Sequence, residues 1–226
     1  LQQKVVELGA DVGFAYDGDA DRLIVIDEQG RIIDGDRVLC ICGKYLKDYG
    51  LLATDKLTAT VMSNIGLHKY LEEHGIGVDV TKVGDRYVLE SMRQTGSVLG
   101  GEQSGHMIFL NYTTTGDGVL SSLQFMKAYL DSGKKLSELR DEIQIYPQAL
   151  VNARVDNAYK ATALEDEEVK SFISEIEAKM EGSGRVLIRP SGTEPLIRVM
   201  LEGEDIDEIK GYAEQVAGLI SDKFGK

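Results

Sequence analysis

From Lys56 onward, short apolar runs alternate with helical spacings, and this rhythm is the strongest constraint on the fold. Leu57 to Val61 reads as a strand, Ile65 to His74 as a helix capped by Ser63, and Ile76 to Val83 as the next strand. Asp85 opens a helix over Arg86 to Gln94. Ser97 to Leu99 and His106 to Leu110 read as two further strands, followed by helices over Asp117 to Asp131 and Ser137 to Ile143. Strands separated by helices of about ten residues predict βαβ units and a mixed, mostly parallel sheet in an αβα sandwich. The pattern changes near Tyr146-Pro147. Strands at Gln148 to Val155, Arg185 to Ile188 and Leu196 to Leu201, with helices at Asp166 to Met180 and from Asp205, predict a smaller α+β unit. Glu208, three residues after Asp205, completes a capping-box pattern.

Ahead of this alternation lies Asp17-Gly18-Asp19-Ala20-Asp21-Arg22, between apolar runs at Val12 to Tyr16 and Leu23 to Ile26. Three carboxylates at alternate positions repel one another unless a positive charge sits among them. Oxygen donors alone suit Mg²⁺ or Mn²⁺ better than zinc. An EF-hand is excluded, because Arg22 stands at the loop position that requires glycine. An aspartate-nucleophile phosphatase, with Asp17 attacking phosphate, stays open. Upstream, Leu1 to Leu8 has helical spacing and Gly9 stops it. Downstream, Glu28-Gln29-Gly30 turns the chain into Arg31-Ile32-Ile33, and Asp34-Gly35-Asp36 opens a helix to about Tyr49.

The net charge of −13 over 226 residues argues against a nucleic-acid or anionic-membrane surface. Cys40 and Cys42 lie in an apolar run and read as buried thiols in a reducing, cytoplasmic setting. No apolar run reaches membrane-spanning length. The chain begins at Leu1, without Met, and is expected to be the C-terminal portion of a longer protein.

Ligands of parallel sheets bind beyond the carboxyl ends of the strands, which directs attention to 62–64, 84–86 and 100–106. Gly100 to His106 offers Glu102, Gln103, Ser104 and His106, a set able to bond several hydroxyls, as a sugar requires. A polar turn with a structural histidine explains that stretch equally well. Arg189-Pro190-Ser191-Gly192-Thr193-Glu194-Pro195 combines hydroxyls and backbone N–H groups in one turn, and Arg189 and Arg198 bracket it. These are the ingredients of a phosphate nest.

Together these three stretches resemble the α-D-phosphohexomutase family. Gln103, Val83-Gly84-Asp85-Arg86-Tyr87 and Thr115-Gly116-Asp117-Gly118 are similar to its branch acting on amino-sugar phosphates. The resemblance implies a division into 1–33, the end of a second domain carrying the metal loop; 34–145, an α/β sugar-binding third domain; and 146–226, a phosphate-binding fourth domain. It implies a mutase that moves phosphate between the 6- and 1-positions of a hexose through a phosphoserine and a bisphosphate. Asp17, Asp19 and Asp21 would hold Mg²⁺, and Arg22 would touch the transferring phosphate. Glu102, Gln103 and Ser104 would bind sugar hydroxyls, and His106 would assist proton transfer. Arg189, Ser191, Gly192, Thr193 and Arg198 would hold the non-reacting phosphate. The family's phosphoserine stretch, of the type Thr-Ala-Ser-His-Asn-Pro, has no counterpart here. The partners implied are a phosphosugar and N-terminal domains of the same protein, with room for a homodimer.

Overall fold

The computed structural model describes residues 1–225, which divide into two units, Leu1–Ile145 and the residues from Tyr146 onward. Helix α1 (Gln2–Leu8) ends where Gly9 turns left-handed, and an antiparallel sheet follows in the order β1 (Val12–Tyr16), β2 (Leu23–Asp27), β3 (Ile32–Ile33). The acidic loop is the connection between β1 and β2, which are paired from Val12–Asp27 to Tyr16–Leu23. Its two ends are therefore fixed by cross-strand hydrogen bonds immediately before Asp17 and after Arg22.

Asp34 caps α2 (Gly35–Asp48) by accepting from Arg37 N–H. Val38, Leu39, Cys40, Ile41 and Cys42 are all buried, because α2 packs against α3 and α5 as well as against β2, β3 and β6. The second sheet has the order β5 (Gly77–Thr81), β4 (Lys56–Thr60), β6 (Leu99–Gly101), β7 (Met107–Phe109). Strand β4 is parallel to both β5 and β6, while β7 returns antiparallel, so the sheet is mixed as expected. Four of the five residues of β4 are buried, as befits a central strand covered on both faces. Helices α3 (Ile65–Glu73), α4 (Asp85–Thr95), α5 (Gly118–Ser132) and α6 (Leu136–Asp141) complete this unit. Its core includes Leu23, Ile33, Leu39, Leu57, Leu71, Leu99 and Phe125, all fully buried. Each such side chain contributes roughly 1.5–3 kcal/mol.

In the second unit a sheet of order β8 (Gln148–Arg154), β10 (Leu196–Gly203), β9 (Gly184–Pro190) is antiparallel throughout. Helices α7 (Glu167–Lys179) and α8 (Ile206–Phe224) pack onto it around Val169, Ile176, Ile197, Val199 and Val216. Asp166 and Asp205 cap these helices through backbone N–H groups.

Local details differ from the sequence reading. Asn64, not Ser63, caps α3, by accepting from Gly66 N–H, while Ser63 is buried. Gly84 occupies the cap position of α4, and Asp85 is the first helical residue. Strand β6 starts at Leu99 rather than Ser97, whose buried hydroxyl reaches Lys56 and Leu99 carbonyls instead. Glu208 accepts from Tyr212 Oη, one helical turn on. Cys40 and Cys42 are free and buried, and burial pushes the Cys42 thiol up to about 12, so neither is a ready nucleophile at neutral pH.

Candidate active site and phosphate turn

Asp17, Asp19 and Asp21 each offer a carboxylate oxygen, and these atoms lie within 4.8 Å of one another. The loop curls because Ala20 takes a left-handed conformation, φ 57°, with its N–H donating to Asp17 O at 3.2 Å. Arg22 Nε stands 3.7 Å from both Asp17 Oδ2 and Asp21 Oδ1, too far for strong hydrogen bonds, and its side chain is half exposed. Asp21 Oδ1 is buried and has no hydrogen-bond partner among the described residues. Arg22 Nε, at 3.7 Å, is too far to satisfy this oxygen with a hydrogen bond, and an unsatisfied buried carboxylate oxygen is costly. The donor set and this unsatisfied oxygen fit a hard divalent ion.

The expected sugar loop follows β6 and lies against the acidic loop. Arg22 and His106 form an antiparallel β-bridge, and Leu23 N–H donates to Gly105 O at 3.0 Å. Gly35 N–H, at the start of α2, donates to Gln103 O at 3.0 Å. Glu102 and Gln103 are partly buried and Ser104 is exposed, so all three can meet a ligand. Glu102 Oε1 accepts from Gly84 N–H at 3.0 Å, which ties the loop after β5 to the loop after β6.

The His106 side chain faces the protein. Its ring is buried, with Nδ1 3.1 Å from Asp21 Oδ2 and Nε2 accepting from Gly116 N–H at 3.1 Å. Both ring nitrogens are thus engaged by protein groups, across the acidic loop and the start of α5.

In the second unit, Arg189 and Arg198 are cross-strand partners on β9 and β10. Paired residues share a face of the sheet, and the 191–195 turn joins these two strands. Gly192 and Thr193 are exposed at its tip. Ser191 is buried, and its Oγ accepts from Glu194 N–H at 3.2 Å, so it shapes the turn from inside rather than presenting a hydroxyl outward. Arg198 Nη2 donates to Glu194 Oε2 at 3.2 Å, a surface pair that an anion can displace at small cost. Lys160 Nζ reaches Glu194 O at 2.6 Å, and nothing in its local sequence pointed there.

A sequence profile described as phosphoglucomutase/phosphomannomutase, α/β/α domain III, matches residues 34–146, and the profile of the C-terminal domain of the same enzymes matches 150–219. The chain belongs to the phosphoglucomutase/phosphomannomutase family. Among relatives of this family, the chain is 53% identical over 225 residues to a phosphoglucosamine mutase of Streptococcus gordonii. It is 52% identical over 226 residues to that of Lactococcus lactis. Both matches cover 100% of this chain and 50% of the relative, so the chain spans about half the length of the curated relatives it matches. Among solved structures, an N-acetylphosphoglucosamine mutase of Aspergillus fumigatus superposes with a TM-score of 0.76 at 20% identity, covering 92% of this chain and 48% of that one. A family protein of Burkholderia thailandensis gives a TM-score of 0.70 at 22% identity, over 96% of this chain and 49% of that one. These structural likenesses carry the phosphohexomutase fold, mixed α/β with a C-terminal domain.

Proposed function

We propose that this chain is the C-terminal half of a phosphoglucosamine mutase, which interconverts glucosamine 6-phosphate and glucosamine 1-phosphate through a phosphoserine and a bisphosphate. The observation that carries this reading is 52–53% identity along the whole chain to phosphoglucosamine mutases. Asp17, Asp19 and Asp21 would hold Mg²⁺, which would supply positive charge to the transferring phosphoryl group. Arg22 adds a second cationic contact beside it. Glu102, Gln103 and Ser104 orient the sugar, with Glu102 itself fixed by Gly84. Arg189, Arg198, Gly192 and Thr193 grip the phosphate that is not reacting, and positioning of this kind lowers the barrier. The phosphoserine belongs to an N-terminal half, the setting is cytoplasmic, and the product feeds amino-sugar precursors of the cell wall.

The test is an assay of the protein joined to the N-terminal half that its relatives possess, with glucosamine 6-phosphate beside glucose 6-phosphate and mannose 6-phosphate. Preference for the amino sugar is expected. Preference for a neutral hexose phosphate would overturn the substrate, and no turnover of any of the three would leave a phosphosugar-binding module. The 226 residues alone should convert none of them, because the phosphoserine stretch is absent from this sequence. Turnover by the highly purified chain would contradict that assignment.

A further inference from the structure

We propose that a cavity between the C-terminal halves of α2 and α5, away from the site described above, binds an uncharged planar heteroaromatic molecule that accepts a hydrogen bond from Tyr70.

The cavity holds about 320 Å³ and is lined from α2, α3, α5, α6 and the turn between α5 and α6. That is the small end of ligand pockets and suits one ring or two fused rings. Ile41, Ala128 and Leu139 supply aliphatic lining, and Tyr45 and Tyr70 supply two buried aromatic rings. Each ring is held by a neighbour. Tyr45 lies 4.6 Å from the Tyr49 ring, and Tyr70 lies 4.3 Å from the His74 ring, centroid to centroid. The walls are therefore set before a ligand arrives, which lowers the ordering cost of binding. Gly35 N–H, at the start of α2, holds Gln103 O, and Gly118 N–H, at the start of α5, holds Ala20 O. Tyr45 and Ala128 lie about three turns further along these helices, roughly 15 Å at 1.5 Å per residue. The cavity is thus separate from the acidic loop and the sugar loop.

The Tyr70 hydroxyl selects the ligand. Tyr70 is 6% exposed, and its Oη has no hydrogen-bond partner among the described residues. A phenol this buried usually has one. Burial, with smaller contributions from Cys40, Glu142, Asp48 and Glu73, pushes this phenol up, so it stays protonated and available as a donor. The charges at the mouth are already matched. Lys44 pairs with Asp48 and Lys134 with Glu142, while Asp131 faces Tyr49 and Lys127. A charged ligand would have to break such a pair. An uncharged ring with a carbonyl oxygen or a pyridine-like nitrogen satisfies the open hydroxyl and leaves the pairs intact.

Isoquinoline, which is uncharged at neutral pH and carries one ring nitrogen, is the probe. Equilibrium dialysis measures its binding to the 226-residue chain and to the chain joined to the N-terminal half that its relatives possess. Amide shifts of the 226-residue chain locate it. Shifts should centre on Ile41, Tyr45, Tyr70 and Ala128, affinity should be the same in both proteins, and saturating glucosamine 6-phosphate should not displace the probe. Tyr70→Phe keeps the ring and removes the donor. Isoquinoline should then bind about 2- to 10-fold more weakly, while naphthalene, with the same rings and no acceptor, should bind wild type and variant equally. Full affinity of isoquinoline for Tyr70→Phe would overturn the proposal, as would shifts confined to other residues or displacement by the sugar phosphate. Tighter binding of benzoate or benzylammonium than of isoquinoline would mean a charged occupant and overturn the ligand class. Loss of binding in the joined protein would make the cavity a face covered by the N-terminal half. The shift map and the charge comparison need no variant, so they decide the matter even where Tyr70→Phe fails to fold.

Discussion

Gly84 carries more of the site than its size suggests. At φ 127° and ψ 133° it occupies backbone space open to glycine and costly for other residues, and its N–H holds Glu102 Oε1. Gly84→Ala adds strain of about 1–3 kcal/mol, which the chain can relieve by moving that N–H away from Glu102. The expected outcome is weaker phosphosugar binding with β4 and β6 undisturbed, read by titration of backbone amide shifts. Unchanged affinity would mean that Glu102 is held by other means. Arg198 makes a separate prediction. Arg198→Lys keeps the charge and loses the planar fork. Phosphate affinity should fall by about 1.5–3 kcal/mol, roughly ten- to a hundredfold, in calorimetry with inorganic phosphate. What was legible at this scale was whatever is local. Asp17, Asp19 and Asp21 announce themselves by spacing, and Arg189 and Arg198 by bracketing one turn. The contact of His106 with Asp21 was not legible, because the two lie 85 residues apart and only folding brings them together. The inward turn of Ser191 was hidden for a related reason, since sequence gives the hydroxyl but not its direction.

Helices were read closely because their caps are local. Asp34, Asp117, Asp166 and Asp205 all cap where polar residues precede apolar spacing. The misplaced caps, Ser63 and Asp85, are one residue from the observed ones, and at both places two candidates stand side by side. Helix α7 gives a pH prediction. A hydrogen bond from Lys223 Nζ, joined by Val169 and Glu168 N–H, holds the Asp166 carboxyl below the usual carboxylate range. A carboxyl lowered in the folded state stabilises above its unfolded pKa of about 3.9, and that contribution disappears as pH falls through the folded value. Asp166→Asn keeps a capping oxygen but loses the charge. Wild type should therefore exceed this variant in urea resistance at pH 7, with the difference closing in acid below about pH 4. An equal difference at pH 7 and pH 3 would assign the effect to the cap alone.

The change of pattern at Tyr146-Pro147 is visible in the sequence because helix–strand alternation gives way to longer alternating strands. The packing of residues 1–33 was less legible. The resemblance places a domain division at 33, yet Leu23, Val25 and Ile33 share one apolar cluster with Leu39, Leu57 and Leu99. Strand-length runs announce burial but not against what. The two large clusters have no residue in common, one built within 1–145 and the other from Ala149 to Ile220. Core substitutions should therefore sort by unit. Phe125 is fully buried and meets the Phe14 ring edge-on at 6.4 Å. Phe125→Ala should cost the first unit about 3–5 kcal/mol, and Ile197→Ala should cost the second about 2–5 kcal/mol. The chain has no tryptophan to report on either, so native-state amide exchange is the measurement. Phe125→Ala should speed exchange in β4 and β6 while β8 and β10 keep wild-type protection, and Ile197→Ala should do the reverse. In the double variant each unit should carry only its own loss, to within about 0.5 kcal/mol. Either substitution lowering protection equally in all three sheets would mean that the chain opens as one cooperative body, whatever the separation of its cores.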